Sequence, residues 1–61
     1  MNQLIPQNLA HVKEQLAAIG TVLKKIDLAN DTEKDLLNQL NIINKASYSA
    51  IQTIKADIQN R

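Results

Sequence analysis

Lys24–Leu37 reads KKIDLANDTEKDLL, and whether the backbone reverses inside it decides what a chain of 61 residues can build. A straight helix has support. Apolar spacing keeps its phase through the segment, from Leu23 and Ile26 to Leu37 and Leu40, and neither Pro nor Gly interrupts it. That reading gives a long parallel coiled coil with Asn44 fixing the register from a core position. Three features favour a turn. Ala29–Thr32 gathers residues that prefer caps and turns, and Asn30 and Glu33 put polar groups at two successive core positions. Thr32 with Asp35, or Asn30 with Glu33, has the three-residue spacing of a capping box. Lys24 and Lys25 suit the negative end of one helix dipole, while Asp31, Glu33 and Asp35 suit the positive end of the next. The segment therefore predicts an all-α antiparallel hairpin: a helix over about 6–28, a turn near 29–31 and a helix over about 32–59.

Working outward, Ile5, Leu9, Val12, Leu16, Ile19, Leu23 and Ile26 recur at alternating steps of four and three. Such a stripe lies on one face of a helix and would scatter to both faces of a strand. The second half carries a wider stripe: Leu36, Leu37, Leu40, Ile43, Ala50, Ile51, Ile54 and Ile58. A wide stripe suits a helix touching more than one neighbour, as in a four-helix bundle. Pro6 fits the first helical position, where its missing N–H costs nothing, with residues 1–5 extended or frayed ahead of it. Ala10, Ala17 and Gly20 offer a small-residue flank that would permit a close helix approach.

Length allows one domain over residues 1–61, and a core of this size is marginal alone. There is no cysteine, so disulfides and thiolate metal sites are excluded, which leaves self-association as the means of stabilisation. Thirteen residues are Asn or Gln, and asparagine competes with helical hydrogen bonding, so packing must hold the helices. A two-fold dimer closing a four-helix bundle would bury both stripes. The expected core and dimer interface comprises Ile5, Leu9, Val12, Leu16, Ile19, Leu23, Ile26, Leu36, Leu37, Leu40, Ile43, Ile51, Ile54 and Ile58. Asn44 and Ser47 interrupt that face and are expected to pair as a register-setting polar layer.

The remaining chemistry is sparse. His11 and Glu14 stand three apart, but the order is the reverse of the carboxylate-first metal pairs of helical bundles, and no second histidine exists. No metal or other cofactor is expected, and His11 reads as a solvated surface residue. Catalysis would need Ser47 or Ser49 to meet His11, or an acidic pair with a raised pKa inside a pocket. The six acids all read as solvated charge, so no catalytic site is expected. Tyr48, the sole aromatic residue, borders the stripe and should cover the core with its ring. Val22, Ile42 and Tyr48 are the candidates for a partner surface.

Net charge is +1, and Lys13, Lys24, Lys25, Lys45, Lys55 and Arg61 form no single stripe, which speaks against nucleic acid or a membrane surface. No apolar run approaches the roughly 18 residues that span a bilayer. The N-terminus lacks the basic and apolar regions of a secretory signal, so a cytoplasmic location is expected. The functional expectation is a non-enzymatic homodimer that acts as a regulator or adaptor by binding another protein. An RNA-binding bundle using helix-1 lysines doubled by the dimer axis, or a structural coiled-coil rod, are the alternatives.

Overall fold

The computed structural model describes residues 3–60. Its two helices, α1 (Pro6–Lys25) and α2 (Glu33–Gln59), pack side by side, and the pair extends 46 Å along its long axis by 17 and 16 Å across. The chain turns, and the straight rod is overturned: one helix of the whole chain would run to about 90 Å at 1.5 Å per residue. The expectation of an extended start ahead of Pro6 lies outside the described residues at Met1 and Asn2. Helix α1 begins at Pro6 as the ring's fixed φ dictates, with extended backbone at Ile5.

The reversal is longer than expected. Helix α1 ends at Lys25, three residues before the predicted 28, and Ile26 is already extended. Asp27 is the cause. Its carboxylate accepts from the Ala29 N–H at 3.1 Å and from Asn30 Nδ2 at 2.7 Å. Its carbonyl takes the N–H groups of Asn30 and Asp31, while its own N–H donates to the Asp31 carboxylate at 2.8 Å. A short acidic side chain here offers the backbone a better partner than another helical turn. None of the described residues adopts a positive φ, so the reversal needs no glycine. Of the two capping boxes, Thr32–Asp35 forms. The Asp35 N–H donates to Thr32 Oγ1, and the Thr32 N–H donates to Asp35 Oδ2, each at 3.1 Å.

Between the helices the core is thin. Only Val12, Ala46 and Ala50 are buried apolar residues among those described. Half-buried Ile19, Val22, Ile26, Leu36, Ile43 and Ile54 extend this seam along the hairpin. The small residues that allow the close approach are therefore alanines of α2, Ala46 and Ala50. Ala10 and Ala17 of α1 are exposed. A Cβ built on Gly20 meets nothing within 4 Å, so this glycine serves no tight contact.

Candidate interaction surface

Pairing across the seam fixes which faces look out. Ile5 lies opposite Asp57, and His11 opposite Ser49, so each step up α1 is a step down α2. On α1 the rows Val12–Ile19, continued by Ile26 just past the helix end, and Asn8–Gln15–Val22 face α2, being buried or half-buried. The leucine row Leu9–Leu16–Leu23 lies about 60° further round and is exposed. On α2 the inward rows are Leu36–Ile43–Ala50–Asp57 and Gln39–Ala46–Thr53. Turning the same way leads through Leu40–Ser47–Ile54 to Leu37–Asn44–Ile51–Ile58. Because the helices run oppositely, this rotation reaches the same side of the hairpin on both. His11 and Ser49 bond on the other side.

The expected core thus divides. Val12, Ile19, Ile26, Leu36, Ile43 and Ile54 face the hairpin's own seam. Ile5, Leu9, Leu16, Leu23, Leu37, Leu40, Ile51 and Ile58 are exposed, with Leu16 open to 58%. Tyr48 adjoins this face and is 64% exposed, so its ring covers no intramolecular core. Asn44 is exposed and Ser47 half-buried, both at the centre of the face on α2. Val22 is half-buried in the seam, which leaves Ile42 alone of that pair in the open.

The accessible surface is 4973 Å². A compact monomer of this mass exposes roughly 4,000 Å² by the usual scaling, so the hairpin shows about 1,000 Å² too much. A standard protein interface covers about 800 Å² per partner. Leu9, Leu16, Leu23, Leu37, Leu40, Ile51 and Ile58 all lie on that exposed surface.

Two polar sites depart from expectation. His11 is half-buried rather than solvated, and its Nε2 shares a hydrogen bond of 2.9 Å with Ser49 Oγ, the direction set by the imidazole tautomer. Both residues sit within helices, where backbone N–H groups already bond to carbonyls one turn back. The contact links the two helices across the seam. Asp57 is buried to 4% exposure, against the expectation of a solvated acid. Its Oδ2 accepts the Ile5 N–H at 3.0 Å and Asn8 Nδ2 at 2.8 Å. Ile5 has no side-chain cap to offer α1, so α2 supplies the carboxylate that caps it, where the dipole favours negative charge. A helix-by-helix reading misses this, because near the end of its own helix an acid is unfavourable. Elsewhere in the seam Gln39 Oε1 is buried without a hydrogen-bond donor.

Among the described residues no cluster of three or more His, Asp or Glu could hold a metal ion, and no helix is long and apolar enough to cross a membrane. Comparison with family models, with curated proteins and with solved structures finds no match to this chain.

Proposed function

We propose that this chain is a non-enzymatic interaction module: a helical hairpin that homodimerises through its leucine-rich face into a four-helix bundle and serves as a regulator or adaptor for another protein. The observation that carries this reading is the contiguous outward face of Leu9, Leu16, Leu23, Leu37, Leu40, Ile51 and Ile58. A seam with three buried apolar residues gives little stability against the entropy of ordering two helices. A second hairpin on the open face supplies the missing burial, at about 25 cal/mol for each Å² of apolar area covered. Once that face is closed, Leu28 at the turn, 81% exposed, and Ile42 on α2 remain for a different partner.

Sedimentation equilibrium at micromolar concentration tests the reading. The expected result is a species of twice the chain's 6.8 kDa mass, with helix content that falls on dilution in step with dissociation. A folded monomer whose helicity is independent of concentration would overturn it.

A further inference from the structure

The outward face is nearly palindromic along its length, and its polar centre says how a second copy must lie. On α2 the positions run Leu37, Leu40, Asn44, Ser47, Ile51 and Ile54, the last half-buried where the face meets the seam; reversed about a point between Asn44 and Ser47, each apolar position falls on another and Asn44 falls on Ser47. On α1, Leu9, Leu16 and Leu23 reverse about Leu16. The two centres coincide in space. Ile5 lies opposite Asp57 and His11 opposite Ser49, and the same pairing puts Leu16 at the height of Asn44–Ala46. Ile58, and Ile5 just ahead of α1, overhang at the rim.

Resting on the homodimer proposed above, we infer that the partner copy lies antiparallel, its turn at the opposite end, about a two-fold axis that crosses the hairpin at the level of Leu16 and Asn44–Ser47. The excess surface, about 1,000 Å² by mass scaling, matches the 800 Å² or so that a second copy would cover. Two face-to-face arrangements have two-fold symmetry. With the axis along the helices, α1 of one copy covers α2 of the other, and Asn44 and Ser47 are buried against Leu16, which offers them no hydrogen bond. With the axis across the helices, α1 meets α1 and α2 meets α2. Asn44 Nδ2 of each copy then donates to Ser47 Oγ of the other, Leu16 meets Leu16, and Leu9 meets Leu23. Buried polar groups take the arrangement that satisfies them. The polar inset therefore specifies orientation as well as register.

Disulfide trapping reads the orientation directly, since the chain has no native cysteine. Under mild oxidation the full-length Leu16→Cys variant should crosslink to itself in high yield. Leu9→Cys should crosslink when mixed with Leu23→Cys and several-fold less alone. A disulfide between Leu9→Cys and Ile51→Cys chains, with no Leu16→Cys self-crosslink, would overturn the antiparallel arrangement while leaving the homodimer standing. A monomer by sedimentation would instead remove the reading beneath both. In a background where the polar pair is replaced, Asn44→Leu with Ser47→Ala, the dimer should persist and both the Leu16→Cys self-crosslink and a Leu9→Cys to Ile51→Cys crosslink should appear; retention of the first crosslink alone would show that the inset does not set orientation.

Discussion

Asp57 is the residue whose environment matters most to its neighbours. It is buried at the open end of the hairpin and holds the Ile5 N–H and the Asn8 amide. Asp57→Ala leaves both donors without that acceptor, in a place where water reaches poorly. The expected loss is about 1–2 kcal/mol, the upper range for a helix cap. A urea titration followed by circular dichroism measures it, and an unchanged midpoint would mean that the cap is idle. Little of this was legible in the sequence. An aspartate in the last turn of a helix reads as a solvated charge, and only the antiparallel partner beside it makes burial favourable. His11 escaped for the same reason, because Ser49 is 38 residues away and reaches it only after the chain has turned.

At the scale of elements, the connection Ile26–Thr32 was legible in kind and misjudged in extent. The capping box was readable because its parts lie three residues apart, and the dipole-matched charges Lys24, Lys25, Glu33 and Asp35 stand where expected. What spacing could not give was the competition at Asp27, whose side chain ends α1 early by drawing the following N–H groups to itself. The same bonds set a pH dependence. The Asn30 side chain foremost, then the Ala29 N–H, hold the Asp27 carboxyl below its ordinary value of 3.8; desolvation opposes them, and the Asn30 N–H adds a lesser lowering. A carboxyl lowered in the folded state contributes stability that is complete above its unfolded pKa and lost as pH falls through the folded one. Turn stability from Asp27 is therefore constant well above pH 3.8 and declines as pH falls through that value toward the lower folded one. A carbon-detected NMR titration of the Asp27 carboxyl should show a midpoint under that value; a midpoint at or above it would mean the turn's bonds are not made in solution.

For the whole molecule, the two apolar stripes foretold two packed helices, and the structure has them. The stripes could not say which of their rows closes the hairpin and which is left over, since adjacent rows are equally hydrophobic. That division comes from Ala46 and Ala50, whose small side chains let α1 settle on their side of α2, and from the polar ties at Asp57 and Ser49. It yields a contrast between two substitutions. Val12, 8% exposed, sits in the seam, and Val12→Asp should unfold the hairpin in any oligomeric state. Leu16 is largely open in the single chain, so for a lone hairpin Leu16→Asp should change stability by no more than about 0.5 kcal/mol. In the dimer the same change buries a charge and should cost several kcal/mol, with loss of assembly and helix together. Thermal melts of the two variants decide between the cases.

The bond from Ile5 to Asp57 also joins regions 52 positions apart in sequence at the end away from the turn. The hairpin is thus tied at both ends, covalently at one and by a carboxylate at the other. A covalent bridge from the backbone near Ile5 to the backbone near Asp57 would close a gap that folding already holds shut, at small entropic cost. The backbone could then be cut at Leu28 to give a circularly permuted chain in which α2 comes first and the same two helices meet in the same register.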